Sequence, residues 1–237
     1  MRFETLEFTL RRVRDHAGLQ AARSVRSRAY GRHLPAWREP MLEPDLADAA
    51  SGARVLLCRA KADGEPIGTL RLQCSDDAPL AIDAGVCLPA ALQRGRRVEA
   101  TRFAVPAGAP PLVRAALMKA CYWHCRARAV DWIVIGARHP ALIRIYLGLG
   151  FADVHDDARL VPLAHAGGLP HRILALDVRG AAAAWRAAGH RWTAFMLETF
   201  HPDIEVDDAL ELPAAAPHGV PGRLPRRERA ADSPLAA

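Results

Sequence analysis

Lysine is nearly missing from this 237-residue chain: Lys61 and Lys119 are the only two among 32 basic residues, and the rest are arginine. Together with heavy use of alanine and proline, this reads as compositional bias of a GC-rich bacterial genome. Long apolar runs are missing too. None approaches the ~18 residues that suggest a membrane span. The opening MRFETLEFTLRRVRDH is broken by charge every two or three residues, so it lacks the apolar core of a signal peptide. The five cysteines, Cys58, Cys74, Cys87, Cys121 and Cys125, form an odd set without zinc-ribbon or disulfide-framework spacing. The expectation is a cytoplasmic protein with reduced thiols.

What is present is an ordinary globular balance, 51% hydrophobic and 24% charged, which excludes a chain disordered throughout. The length allows one well-buried domain, expected over residues 1–205. The Ala/Pro/Arg-rich residues 212–237 lack periodicity and are expected to be a disordered tail. A net charge of +6 favours acidic partners. No helix-turn-helix, finger or aromatic RNA-binding signature accompanies it, so nucleic acid is not expected.

Leu6, Phe8 and Leu10 alternate with polar residues and read as a strand, and residues 15–31 as a helix stopped by Gly31. A proline- and acid-rich connection follows. RVLLCRA and PIGTLRLQC, separated by Asp63-Gly64, read as a hairpin. VEATRFAV (98–105) is a further strand, PPLVRAALMKACYWHCRARA a helix, DWIVIGA a buried strand and HPALIRIYLGLG a helix. A strand starts at Phe151, another runs over 172–178, and AAAAWRAAGHRWTAFMLETF (181–200) reads as a C-terminal helix. The order gives an α/β (α+β) fold: one central mixed sheet flanked by helices.

Four segments carry chemistry. A carboxylate within VEATRFAV, Glu99, is costly to bury unless it is paired or used. Glu99 and Arg102 stand three apart, so strict alternation puts them on opposite faces unless a bulge intervenes. Arg71, inside the apolar GTLRL, needs a charge partner. Asp45 and Asp48 of the acidic run can supply one, and can also pair with Arg26. Tyr146 lies near the last turn of its helix, facing a strand start. Cys121, His124 and Cys125 share helical spacing but supply too few ligands, so no metal is expected. HPDIE (201–205) reads as a helix-ending turn.

Taken in order, these segments resemble the N-acyl amino acid synthases of the GNAT acyltransferase superfamily, relatives of the acyl-homoserine-lactone autoinducer synthases. The resemblance spans roughly residues 20–155. It rests on Arg26 with Tyr30, the run Glu43–Asp48, Gly68 to Arg71, Glu99 to Arg102, and YLGLGF from Tyr146 to Phe151. It implies a GNAT-like, mostly antiparallel sheet and transfer of a fatty acyl group from a thioester to the amino group of an amino acid or similar amine. Glu99 would be the base, and the backbone N–H groups of Phe103, Ala104 and Val105 would face the developing oxyanion. Tyr146 would protonate the departing thiolate. Arg102 would hold the substrate carboxylate or pair with an acid, and Arg26, Asp45, Asp48 and Arg71 would form an ion-pair network.

The sequence departs from acyl-CoA enzymes where they carry a Gly-rich pyrophosphate loop. Here PAGAPPLVR loses two amide donors at Pro110 and Pro111. The expected donor is therefore acyl carrier protein, with acyl-CoA the other choice, and Arg94, Arg96 and Arg97 form the candidate carrier-docking patch. Two alternatives stay open: an autoinducer synthase using S-adenosylmethionine, and a non-catalytic acyl- or carrier-binding module.

Overall fold

The computed structural model describes residues 2–205; the expected tail, 212–237, lies outside the described residues. An eight-stranded sheet is built from β2 (Phe8–Arg12), β3 (Arg54–Ala60), β4 (Pro66–Cys74), β5 (Arg97–Ala104), β6 (Trp132–Ala137), β7 (Ala152–Asp153), β8 (Leu160–Leu163) and β9 (Leu169–Asp177). Its order is β2-β3-β4-β5-β6-β9-β7, with β8 also on β9. Every pairing is antiparallel except β5–β6, which is parallel and bridged by helix α3 (Leu112–Ala127).

Strand alternation sorts the two faces. On one, Leu56, Cys58, Leu70, Leu72, Val98, Ala100, Ile133 and Leu174 pack on α3, joined by Val178 and Trp185 of α5 (Val178–Ala187). Gly68 permits this approach, since a Cβ there would meet Val113 Cγ1 at 2.5 Å. On the other face, Val55 and Leu57 pack against Ala22 and Val25 of α1 (His16–Gly31). Farther along that face, Trp132, Val134 and Ile173 meet Leu80, Ile82 and Leu92 of the segment that carries α2 (Ala90–Arg94).

The expected helix over 181–200 is not continuous. It ends at Ala187, because the following Gly189 takes a left-handed turn at φ 56°. A π turn at Ala194–Glu198 leads into β10 (Thr199–Phe200), which pairs with β1 (Arg2–Phe3). HPDIE therefore follows a strand, not a helix, and is an anchor. Asp203 Oδ2 accepts from Leu6 N–H at 2.8 Å, and Leu10 donates its N–H to the Asp203 carbonyl at 2.7 Å. Buried Lys119 of α3 donates to the carbonyls of Phe195 and Thr199, each at 2.6 Å, and meets His201 Nδ1 at 2.8 Å. The cysteines expected to be structural, Cys121 and Cys125, are wholly buried in the α3 face.

Candidate active site

The parallel pair β5–β6 is in register for three positions only: Arg97 with Trp132, Val98 with Ile133, and Glu99 with Val134. Beyond Glu99 the strands part. β5 stays on β4 through Ala104, and β6 stays on β9 through Ala137, so a gap opens in the sheet beside Glu99.

A bulge falls on this stretch. Thr69 pairs with Ala104 but Arg71 pairs with Thr101, so β5 spends one residue more than β4. Arg102 absorbs it at φ 54°, a left-handed conformation costly for a residue with a Cβ. The consequence is positional. Arg102, which strict alternation would set on the far face, joins Arg71 and Asp45 instead.

Five charged groups meet there. Arg26 grips Asp48 with two bonds, 2.6 and 3.0 Å. Arg71 Nη1 reaches Asp45 Oδ2 at 2.8 Å and Asp48 Oδ1 at 3.2 Å, while its Nε donates to Thr101 Oγ1 at 3.0 Å. Arg102 Nε donates to Asp45 Oδ2 at 3.0 Å. The side chains of Arg26 and Asp48 are 1% and 3% exposed, so the pair is shielded from water. Burial alone would push the Asp45 carboxyl up, but Arg71 and Arg102 overcome it and hold the group at about 2. This network ties the loop after α1, with Asp45 capping the short turn Leu46–Asp48, to the middle of the sheet.

Glu99 is buried on the same face but belongs to different partners. Its Oε2 accepts from the Ile82 N–H at 3.1 Å, and its Oε1 lies 3.3 Å from His165 Nε2. Burial pushes its carboxyl up to about 6, against the opposing pull of the Ile82 amide and of Arg71. No arginine reaches it within bonding distance among the described residues, even though the bulge brings Arg102 to this face. His165, in the turn Ala164–Ala166, was not legible in the sequence, where it lies in a short Ala- and Gly-rich loop without motif or period. Burial and the nearby Arg102 and Arg71 pull its imidazole down to about 4, so it is neutral near pH 7.

The other face contributes aromatics. Tyr146, in the last turn of α4 (Pro140–Gly148), is buried with its ring 6.2 Å from Phe103 and 5.5 Å from Phe151. Gly150, at φ 91°, makes the turn that brings Phe151 back to it. Burial raises the Tyr146 phenol well above its ordinary range, so it stays protonated. Tyr30 donates to the Phe103 carbonyl at 3.2 Å. Past the bulge, Phe103, Ala104 and Val105 lie where one edge of β5 has no strand partner among the described residues.

The basic trio before β5 does not stay together. Arg97 is buried, with its guanidinium on Asp83 at 2.5 and 3.2 Å, which removes it from any docking patch because its charge is neutralised and covered. Arg96 is partly exposed and bonded to Asp76 at 2.7 Å, and Arg94 is exposed. The loop preceding α3 enters the helix through Pro110 and Pro111 without a side-chain cap. An open cavity of about 760 Å³ borders that loop, between Pro106–Pro110 and the β3–β4 hairpin, but neither Glu99, His165, Tyr146 nor any member of the ion-pair network lines it. No group of three or more metal-ligating side chains occurs among the described residues.

A mostly antiparallel sheet with one parallel pair, β5–β6, is the fold that this chain shares with a GNAT acetyltransferase of known structure. Known structures agree on the fold. FeeM, an N-acyl amino acid synthase from uncultured soil microbes, superposes with TM-score 0.56 at 16% identity, covering 80% of this chain and 98% of that one. A GNAT-family acetyltransferase from Staphylococcus aureus Mu50 superposes at 0.50 with 11% identity, covering 72% and 99%. Among curated proteins, none matches at a significant level. The family model described as N-acyl amino acid synthase FeeM matches residues 21–170, and the chain belongs to that family. It is an acyltransferase enzyme that works by N-acyl transfer.

Proposed function

We propose that the chain moves a fatty acyl group from acyl carrier protein to the amino group of an amino acid or similar amine, in the cytoplasm, with Glu99 as base. One observation carries this reading: a carboxyl buried at the point where β5 and β6 part, so that burial pushes it up to about 6. An amine nucleophile arrives as an ammonium and must lose a proton before attacking a thioester. A base poised near 6 is mostly ionised at neutral pH yet strong enough to accept that proton. The N–H groups of Phe103 to Val105, at the open edge of β5, are the candidate oxyanion donors. Tyr146, which keeps its proton, is the candidate acid for the leaving thiolate.

Three arginines against two aspartates leave one positive charge in the network, which suits an acceptor carrying a carboxylate. Carrier protein is favoured over CoA as donor because Pro110 and Pro111 remove amides from the helix entrance where a pyrophosphate would sit. Arg94 and Arg96 are the remaining candidates for docking an acidic carrier.

Glu99→Gln tests the base. With acyl carrier protein and acyl-CoA thioesters offered separately, and the proteinogenic amino acids as acceptors, product is followed by mass spectrometry. Wild-type kcat/KM rises with pH through about 6, since the base must be deprotonated. The variant loses about 10²–10⁴-fold in turnover. It also gains stability at pH 7, by up to about 2 kcal/mol, because it no longer carries a charge that folding disfavours. That gain disappears below the unfolded pKa of about 4.5, where Glu99 is protonated in both states. Turnover unchanged in Glu99→Gln removes Glu99 from the mechanism.

A further inference from the structure

Amide formation leaves a proton to dispose of. As the nitrogen–carbon bond forms and the carbon–sulfur bond breaks, an ammonium becomes an amide N–H and so sheds two protons. One goes with the electron pair to the departing sulfur, giving a thiol. The other, taken by the base, has to reach water before the next turnover, and the Glu99 side chain is only 3% exposed.

The groups around Glu99 narrow the route. Its Oε2 is held by the Ile82 amide, a donor that cannot take a proton. Its Oε1 faces His165 Nε2 at 3.3 Å, and the His165 side chain is 21% exposed, seven times the exposure of the carboxylate it touches. The other charged neighbours are committed: Arg71 and Arg102 to Asp45, and Asp83 to Arg97. His171, on β9, is bonded to the Leu169 carbonyl through Nδ1. We infer that His165 is the relay through which the proton collected by Glu99 leaves for solvent, a role that rests on the reading of Glu99 as base. His165 acts through Glu99 and does not touch the reacting atoms. Its imidazole is held neutral by burial and by Arg102 and Arg71, against a hydrogen bond to the Ala81 backbone, so taking the proton from Glu99 is uphill and passing it on to water is fast.

The test uses the full chain with dodecanoyl acyl carrier protein and the acceptor identified in the Glu99 assay. His165→Ala and His165→Gln are compared with wild type, with circular dichroism confirming the fold of each. The turn that carries His165 is at the surface, so both variants should fold. In His165→Ala, kcat falls about 10²-fold with KM little changed, and added imidazole restores it in a concentration-dependent way. His165→Gln keeps a hydrogen-bonding amide but cannot carry a proton, so it stays impaired, and the pH profile of both variants flattens. Three results overturn the relay: wild-type kcat in His165→Ala, full recovery in His165→Gln, or no response to imidazole. Glu99→Gln is run in parallel to separate the two ideas. If it is unimpaired, the base assignment itself is wrong; if it is impaired while His165→Ala is not, only the relay falls.

Discussion

Replacing Asp48 by Asn is the sharpest perturbation of the network, because one change strips the charge that two buried arginines share. Arg26 bonds both Asp48 oxygens and Arg71 bonds one, with side-chain exposures of 1%, 6% and 3% for Arg26, Arg71 and Asp48. In the wild type, three guanidinia face two carboxylates; in the variant they face one. Asp45 still holds Arg71 and Arg102, so the loss concentrates on Arg26, which has no other carboxylate within bonding distance among the described residues. Removing one partner of a buried pair costs about 3–5 kcal/mol, largely because the other charge is left desolvated. For a chain of this size, each kcal/mol moves Tm by about 2–4 °C, giving an expected fall of about 6–20 °C. Differential scanning calorimetry of Asp48→Asn reads this directly. The control is Arg11→Gln, which breaks the exposed pair with Glu205 and should shift stability by less than about 1 kcal/mol. Arg26→Met combined with Asp48→Leu should recover most of the loss, since an apolar pair has no charge to desolvate. An Asp48→Asn protein that melts with the Arg11→Gln control would refute the claim that this network is dry and costly to break.

Two further outcomes follow from the backbone and the far face. At Arg102, glycine and alanine both delete the bond to Asp45, but only glycine accepts φ 54° without strain; Arg102→Gly should therefore be about 1 kcal/mol more stable than Arg102→Ala by urea titration, and equal midpoints would argue against the bulge. Lys119→Met leaves the Phe195 and Thr199 carbonyls and His201 without their shared donor, so stability should fall by about 2–3 kcal/mol and hydrogen exchange of residues 194–205 should quicken while turnover of the folded protein persists.

Most of the sheet was legible because its strands obey simple patterns. RVLLCRA and PIGTLRLQC are apolar runs, Asp63-Gly64 marks the turn between them, and WIVIGA is apolar throughout, as a strand covered on both sides must be. The pairing of Arg26, Arg71, Asp45 and Asp48 was foreseeable since an arginine inside an apolar strand needs an anion. The failures have equally specific causes. The run after Ala187 looked helical by composition, yet one left-handed glycine redirected it, and its buried lysine anchor comes from a helix 76 to 82 residues earlier, a separation no local pattern reports. Arg97 looked like a neighbour of Arg94 and Arg96, but strand alternation turned it inward onto Asp83. His165 reaches Glu99 through the packing of two irregular turns, 81–84 and 164–166, and nothing in either turn's sequence announces the other.

On the proposed reading of Glu99 as base, its separation from the arginines matters, as a comparison of two carboxyls makes plain. Asp45 and Glu99 lie on one face of the sheet, yet the first is held at about 2 and the second at about 6. Burial opposes ionisation in both. The difference is that Arg71 and Arg102 bond Asp45 directly, while Glu99 feels Arg71 only through space. A guanidinium bonded to Glu99 would drag it down too, leaving a carboxylate too weak to accept an ammonium proton at neutral pH. Asp45 and Asp48 thus occupy the arginines, and the base keeps its strength because they do. Asp45→Asn removes part of that occupancy. Arg71 and Arg102 then lose a carboxylate on the Glu99 face, and the more positive surroundings draw the Glu99 carboxyl below about 6. The acid limb of the kcat/KM profile should move to lower pH while the plateau falls. A profile whose midpoint stays in place would mean that the aspartates only brace the loop and have no hold on the base.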